Sequence, residues 1–510
     1  VTQAVVSVSV SADGQTATIQ LPAGSTVSDA LNETDIAIST LDRTNPPDYT
    51  VLSDGDTIAI VRVTEEFTIE EIVLPFENQV VRNESLPDGE TRLVQPGLNG
   101  LQEITYRRVF EDGIEVSVNP VKSVILQEAV AEIVMIGSQT PFAPVEFPGQ
   151  IAYFSGGNAW IMDGNSGNRR PVVTTGDLDG QILRLSPDGE WLLFTRRSES
   201  EDVINTLWAG RISTSEEQLI DLDAQNIIHF ADWVPTSVLR VAYSTVEPRS
   251  TAPGWQANND LIMVSFSTSG WVGNRSTFLE SNSGGIYGWW GTQFAWSPDG
   301  LRLAYARPDG VGILDIQEDD EEVLNTPILA ITPLQTQSDW AWVPGLTWSP
   351  SGDALYTVNH PVAEGATDLE GSPNFDLTAL SLAGAPPIAV IPQSGMFTYP
   401  SASPLQTLPS GEQAYQIAYL QAIFPSQSQE SRYRLVVMDR DGSDQRVLFP
   451  EQGAPGIEPL PLIWAPVPHG SAWQYWIGLI YQGNIWLIDS LTGEAFQLTG
   501  DGQVDRIDWR

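Results

Sequence analysis

The sequence has no cysteine, one lysine (Lys122) and three histidines (His229, His360 and His469). Without cysteine there is no disulfide framework, no thiolate nucleophile and no cysteine metal site. The histidines fall in unrelated stretches, with no HExxH and no second histidine at a ligand spacing, which excludes conventional zinc chemistry. Lys122 lies in a strand-like segment, so no glycine-rich phosphate loop has its lysine. There is no G-x-S-x-G elbow and no helical α/β segment to carry a Ser, Asp and His triad. No run of about 18 apolar residues occurs, and the most apolar stretches, such as Ile133 to Ile136 and Ile477 to Ile480, are strand-length, so no membrane-spanning helix is encoded.

Positive charge is also scarce. The 65 acidic residues against 24 basic ones give a net charge of −41, which repels phosphate backbones and anionic lipid and favours solubility. Neither nucleic acid nor membrane is expected as a partner. The sequence opens on Val1 with no basic segment leading into an apolar one, as a mature protein would after removal of a signal peptide. An extracellular or cell-surface location is therefore expected.

What is present is strand patterning. Residues 1–64 read as a small α/β module: a strand from Val5 to Val10, a turn at Asp13-Gly14 and a strand from Gln15 to Leu21 make a hairpin. Ser25 or Thr26 can cap a short helix through Val27 and Leu31, Asp29 favours its first turn, and alternation returns at Thr57 to Val63. The order of strand, strand, helix and strand resembles a ubiquitin-like roll.

Residues 65–138 change to long strands punctuated by glycine. Gly89, Gly97, Gly100, Gly113 and Gly137 stand in SLPDGE, VQPGLNG, FEDGIEV and IVMIG, after the lead-in EEIVLPFENQVV. Each glycine can supply a positive φ or allow two strands to approach where a Cβ would not fit. The segment resembles the G-five domain of bacterial surface and wall-associated proteins. The module before it, through VSADGQTATIQLPAGSTVSDAL, LDRTNPP and LSDGDTIAIVRV, is similar to the ubiquitin-like domain that accompanies G-five domains in resuscitation-promoting factors. That resemblance implies association with cell-wall glycan. Pro141, Pro144 and Pro148 make residues 139–149 a stiff linker.

Residues 150–510 carry a degenerate repeat. LSPDG begins at Leu185, WSPDG at Trp296 and WSPSG at Trp348, with weaker versions at Trp233, Ala402 and Trp464. Each clear one precedes an apolar strand. In the turn, Pro187, Pro298 and Pro350 preset the first corner and Gly189, Gly300 and Gly352 accept a left-handed conformation. The tryptophan before the turn is expected to wedge between neighbouring sheets. The pattern resembles TolB-like and WD-repeat-like β-propellers. A last anchor at Trp509 ends the strand VDRIDW with nothing after it to complete a blade, while residues 151–175 supply later strands with no first one. The two ends therefore close one shared blade, giving seven blades, with insertions at 250–290 and 360–375 leaving six or eight open. The expected fold is mainly β.

The chemistry is sparse. Acidic residues are too many to single out a catalytic pair, and the run Asp315, Glu318, Asp319, Asp320, Glu321 and Glu322 could attract calcium but lacks EF-hand spacing. No other cofactor is implied. Trp255, Trp271, Tyr287, Trp289 and Trp290 cluster in a glycine- and serine-rich insertion, with Trp340 and Trp342 before the next blade, and exposed rings of this kind stack on sugars or form partner interfaces. The expectation is a non-catalytic scaffold whose N-terminal modules hold wall glycan or a surface protein while the propeller binds protein. The alternatives are a self-assembling, polymerising subunit of a filament, sheath or surface layer, and a polysaccharide-acting enzyme with a channel carboxylate site.

Overall fold

A computed structural model describes residues 4–34, 36–83, 91–137, 143–200, 202–212, 218–236, 239–282, 285–317, 322–334, 336, 340–362, 371–408, 410–471 and 473–510. The chain divides into two compact units, one of residues 1–80 and 92–134, the other of residues 81–91 and 135–510.

In the first unit, β1 (Val5–Ala12) and β2 (Gln15–Pro22) form the expected hairpin, with Asp13 and Gly14 both at positive φ in its two-residue turn. Helix α1 (Val27–Asn32) starts at a capping box: the Thr26 hydroxyl accepts from the Asp29 amide, and the Asp29 carboxylate accepts from the Thr26 amide at 2.8 Å. With β3 (Arg43–Asn45) and β4 (Thr57–Val61) the sheet order is β2-β1-β4-β3, β1 and β4 running parallel. Val8, Val10, Leu21, Val27, Ala30, Leu52, Ile58 and Ile60 form its buried core.

Arg62 follows β4 and is held on three sides. Its guanidinium donates to Asp13 Oδ2 at 2.7 Å, Asp42 Oδ2 at 2.8 Å and the Ala37 carbonyl at 2.7 Å. Asp42 also accepts from the amides of Ser39, at 2.9 Å, and Val63, at 3.0 Å. Burial raises the Asp42 carboxyl, but these donors outweigh it and hold the pKa down at about 2. The folded value lies below the ordinary 3.8, so the stability it adds is complete above about pH 4 and is lost as pH falls through about 2. Asp42→Asn is expected to cost ~1.5–3 kcal/mol near pH 7 and to flatten the acid limb. Urea unfolding of the full chain at neutral and acid pH checks this, and an unchanged acid limb would refute it.

The next segment is a long, thin sheet of β5 (Val63–Leu74), β8 (Gly100–Glu111) and β9 (Ile114–Gln127) in the order β5-β8-β9. A shorter sheet of β6 (Asn78–Asn83), β7 (Thr91–Gln95) and β10 (Glu132–Gly137) has the order β6-β10-β7. Phe67, Ile69, Ile114 and Val121 on the long sheet are exposed. The glycines do different work. Gly113 turns β8 into β9 at φ +80°, whereas a Cβ on Gly100 would lie 2.6 Å from the Ala129 nitrogen and one on Gly97 2.3 Å from the Phe76 ring. Gly137 ends β10, and Gly89 lies outside the described residues.

The second unit contains seven four-stranded antiparallel sheets. Blades 1 to 6 occupy residues 178–225, 230–279, 293–330, 346–391, 401–449 and 463–497. The seventh is composite: β11 (Glu146–Ser155), β12 (Asn158–Asn165) and β13 (Arg169–Val173) are joined by Val504–Trp509, which pairs Ile151 with Trp509 and Tyr153 with Ile507. The insertions add no blade: the 250–290 region contributes a two-stranded ribbon and a 3-10 turn, Gly285–Trp290. One boundary moves. Strand β11 begins at Glu146, inside the segment read as a proline linker, because Glu146 already pairs with Asn165.

Each Ser-Pro-x-Gly turn closes as its residues require. The amides of Gly189, Gly300 and Gly352 donate to the carbonyls of Ser186, Ser297 and Ser349 at 2.9, 2.8 and 2.9 Å, with the glycines at φ +71°, +69° and +73°. The anchor tryptophans tie blades together. The Trp233 indole donates to the Arg184 carbonyl at 3.0 Å, Trp348 to Ala295 at 2.9 Å and Trp464 to Ser401 at 2.9 Å, each on the preceding blade's inner strand.

Candidate functional site

The seven inner strands surround a channel with a cavity of ≈ 830 Å³. Its wall takes residues from the inner edge of every blade, including Arg184, Asp232, Gln293, Thr347, Tyr399, Leu462 and Arg506. Beside it lies a second cavity of ≈ 470 Å³, lined by Trp255, Trp290, Trp340, Trp342, Phe397 and Tyr399, with Pro253, Ala341, Val343, Gln293, Gln429 and His229 completing the wall. His229, Gln293 and Tyr399 belong to both, so the two spaces are contiguous.

The aromatic pocket gathers three separate stretches. Trp255 opens the second strand of the ribbon inserted in blade 2, Trp290 closes the 3-10 turn, and Trp340 and Trp342 come from the segment entering blade 4. Trp342 is the structural member: it is 2% exposed, its indole donates to the Met396 carbonyl at 3.0 Å, and it meets Phe375 edge-on at 5.0 Å. Trp255, Trp290 and Trp340 are only half-buried, so their rings are available to a ligand. Three of the tryptophan-cluster residues read from the sequence do not line this pocket. Trp271 is 65% exposed beside the Phe266–Val272 bridge, Trp289 faces the Arg249 guanidinium at 5.9 Å, and Tyr287 sits on the 3-10 turn without reaching the cavity. Sequence proximity groups them, but Trp271 lies outside the Gly285–Trp290 turn, and of the turn's rings Trp290 lines the cavity while Tyr287 and Trp289 do not.

Two residues at the junction were missed from sequence. His229 packs edge-on against Trp255 at 4.5 Å, and a Cβ on Gly291 would lie 2.5 Å from its ring. Burial pushes its pKa down to about 4, and Nε2 is sealed from solvent with no partner, so it stands as a neutral imidazole. Tyr399 has φ +41°, a left-handed backbone that costs a bulky residue of order 1–2 kcal/mol and is met mostly where surroundings enforce it. Its ring stacks on Phe397 at 6.2 Å. The other histidines are structural: His360 is buried between the Thr332 and Ser372 carbonyls, each 2.7 Å away, and His469 stacks on Trp476 at 3.9 Å.

Charge in the channel runs against the rest of the chain. Arg184, Arg506 and Arg510 line it, with Asp232 the acidic residue among the lining. Burial raises the Asp232 carboxyl above the ordinary range, while Arg184 and Arg510 pull the other way. Asp508 accepts from the Leu185 amide at 2.7 Å and faces Arg184 at 3.8 Å. Among the described residues no group of three or more His, Cys, Asp or Glu is placed to hold a metal ion. Asp315 is described, but Glu318, Asp319, Asp320 and Glu321 of the acidic run lie outside the described residues. No described helix is long and apolar enough to cross a membrane.

Comparison with known proteins adds identity to the N-terminal segments. Residues 64–139 match the G5 domain and residues 8–47 the G5-linked ubiquitin-like domain. Among curated proteins none matches the chain. Among solved structures, the IgA1 protease G5 domain is 22% identical, covering 15% of this chain and 92% of its own, with a TM-score of 0.14. A protein described as a putative TolB from Agrobacterium tumefaciens is 15% identical over 61% of this chain and 92% of its own, with a TM-score of 0.34. One described as a putative 6-phosphogluconolactonase from Bacteroides uniformis is 11% identical over 71% and 99%, with a TM-score of 0.42. The chain thus carries a G5 domain, preceded by its linked ubiquitin-like domain and followed by a seven-bladed propeller closed by its own two ends.

Proposed function

We propose that this is a non-catalytic extracellular or cell-surface binding protein, whose ubiquitin-like and G5 modules attach it to cell-wall glycan or a surface partner and whose propeller receives a glycan. The observation that carries the reading is the pocket of half-buried Trp255, Trp290 and Trp340 beside the channel mouth. Sugar rings present C–H faces that pack on indole and hydroxyls that need amide partners. The pocket supplies both, through the tryptophans and through Gln293 and Gln429.

Trp290→Ala is expected to lower affinity for an N-acetylglucosamine oligomer by about tenfold or more, the cost of removing one stacking ring at the centre of a site. The melting temperature should change little, because Trp290 is half-buried on a surface turn. Titration calorimetry of both proteins reads the effect, and equal affinity would sink the proposal. The same samples assayed for new reducing ends test the enzymatic alternative, for which Asp232 is the candidate carboxyl in the channel. Glycan recovered intact keeps the non-catalytic reading, and cleavage overturns it.

A further inference from the structure

Arg506 is a half-buried cation in the channel lining. It stands three residues before the Trp509 anchor, and in the other blades that position holds Ile182, Phe230, Gln293, Gly345, Tyr399 and Pro461, none of them charged. Among the described residues its guanidinium makes no hydrogen bond and no ion pair. The carboxylates that act on it from a distance are Asp179 and Asp505. Asp179 is already engaged by the Asn205 amide at 2.6 Å, by the Gln181 backbone at 3.0 Å and by the Thr195 hydroxyl, and Asp505 is exposed. Burial, and then the neighbouring Arg184, pull the Arg506 pKa down to about 10.

Arg184 is little better served. Its acidic neighbours are Asp232, on which it acts through space, and Asp508, at 3.8 Å and beyond hydrogen-bond reach, whose other oxygen is occupied by the Leu185 amide. Two guanidinium forks thus face a cavity with their donors unfilled, in a chain with 65 acidic residues against 24 basic ones. Planar guanidinium groups fit oxyanions in two-pronged fashion. Gln293 and Tyr399, which share the Arg506 position in their own blades, also line the tryptophan pocket.

We propose that Arg506 and Arg184 form an oxyanion site in the channel, which takes the charged group of an acidic sugar whose ring lies against the tryptophan pocket. The sugar part of this inference rests on the glycan reading above; the oxyanion site does not. The test titrates wild type, Arg506→Gln and Arg184→Gln with an oligogalacturonate, a sugar phosphate and a neutral N-acetylglucosamine oligomer at fixed ionic strength. A charged sugar that binds wild type at least about tenfold more tightly than the neutral one, and loses that advantage in either variant, is the expected result. The charged arm that binds tells carboxylate from phosphate. Equal binding of charged and neutral sugars by all three proteins would overturn the proposal while leaving the glycan reading intact. If no sugar binds, the glycan reading fails, and the oxyanion site is judged by thermal melting in citrate against chloride. A citrate-specific rise in wild type that is lost in Arg506→Gln sustains the site, and the absence of any difference removes it. Should Arg506→Gln fail to fold, Arg184→Gln decides.

Discussion

A chain ending at Gln503 is expected to lose the cooperative unfolding of its propeller. The strand Val504–Trp509 supplies the inner edge of the seventh blade, pairing along β11 from Ser155 to Ile151. Trp509 is 3% exposed, packs edge-on with Phe147 at 5.7 Å and donates its indole N–H to the Pro148 carbonyl at 2.7 Å. Removing one buried tryptophan costs ~3–5 kcal/mol. Losing the buried Val504 and Ile507 as well approaches the whole ~5–15 kcal/mol stability of a typical domain. Truncation also exposes an unpaired β11 edge, which favours association between copies. Differential scanning calorimetry and sedimentation of the truncated protein provide the measurement. A single sharp transition at the wild-type temperature, from a monomer, would show that the clasp is dispensable.

Trp348→Ala should be the most damaging single change at a blade seam, by ~3–5 kcal/mol. Its ring is 6% exposed, lies under the Arg302 guanidinium at 5.2 Å and bridges to blade 3 through its indole N–H. Trp348→Phe separates packing from hydrogen bonding: it keeps an aromatic plug but strands the Ala295 carbonyl, costing ~1–3 kcal/mol. Trp296 is the internal control. It holds the same repeat position, but its indole nitrogen is sealed from solvent with no partner, so Trp296→Phe removes no bond and should cost less than Trp348→Phe. Chemical unfolding of the three variants ranks them. If Trp348→Phe and Trp296→Phe cost the same, the seam bonds contribute nothing.

These anchors also explain why the architecture was legible in the sequence. A Ser-Pro-x-Gly turn is a local requirement; its three clear copies and weaker versions mark blade starts, and the unaccompanied strand at Trp509 shows how the ring seals. The hairpin at Asp13-Gly14 and a cap at Ser25 or Thr26 were readable for the same reason, since their partners lie within a few residues, and Thr26 is the residue that caps. The G5 glycines were readable as a set, though Gly97 and Gly100 are dictated by contacts with Phe76 and Ala129 rather than by φ.

The site was only half legible. The insertion pointed to Trp255 and Trp290, but also to Trp271, Tyr287 and Trp289, because adjacency in sequence says nothing about which way a 3-10 turn sends each ring. Phe397, Tyr399 and His229 come to the pocket from stretches distant in sequence, which no local pattern reports. A residue before proline is normally extended, so the left-handed backbone of Tyr399, just before Pro400, could not be foreseen. Arg184 and Arg506 stand near opposite ends of the propeller segment and meet only because the last strand returns to the first blade. The available signal was their rarity: with so few basic residues, one placed beside a repeat anchor is conspicuous.

The composite blade also imposes an order on biogenesis. During vectorial synthesis β11 emerges early, yet its inner neighbour is made only after all six intervening blades. Until then the growing chain is an open arc with one strand edge uncovered, and contacts this distant in sequence form slowly. Ring closure therefore waits on this last strand, and Arg184 and Arg506 come to share one channel only when it pairs.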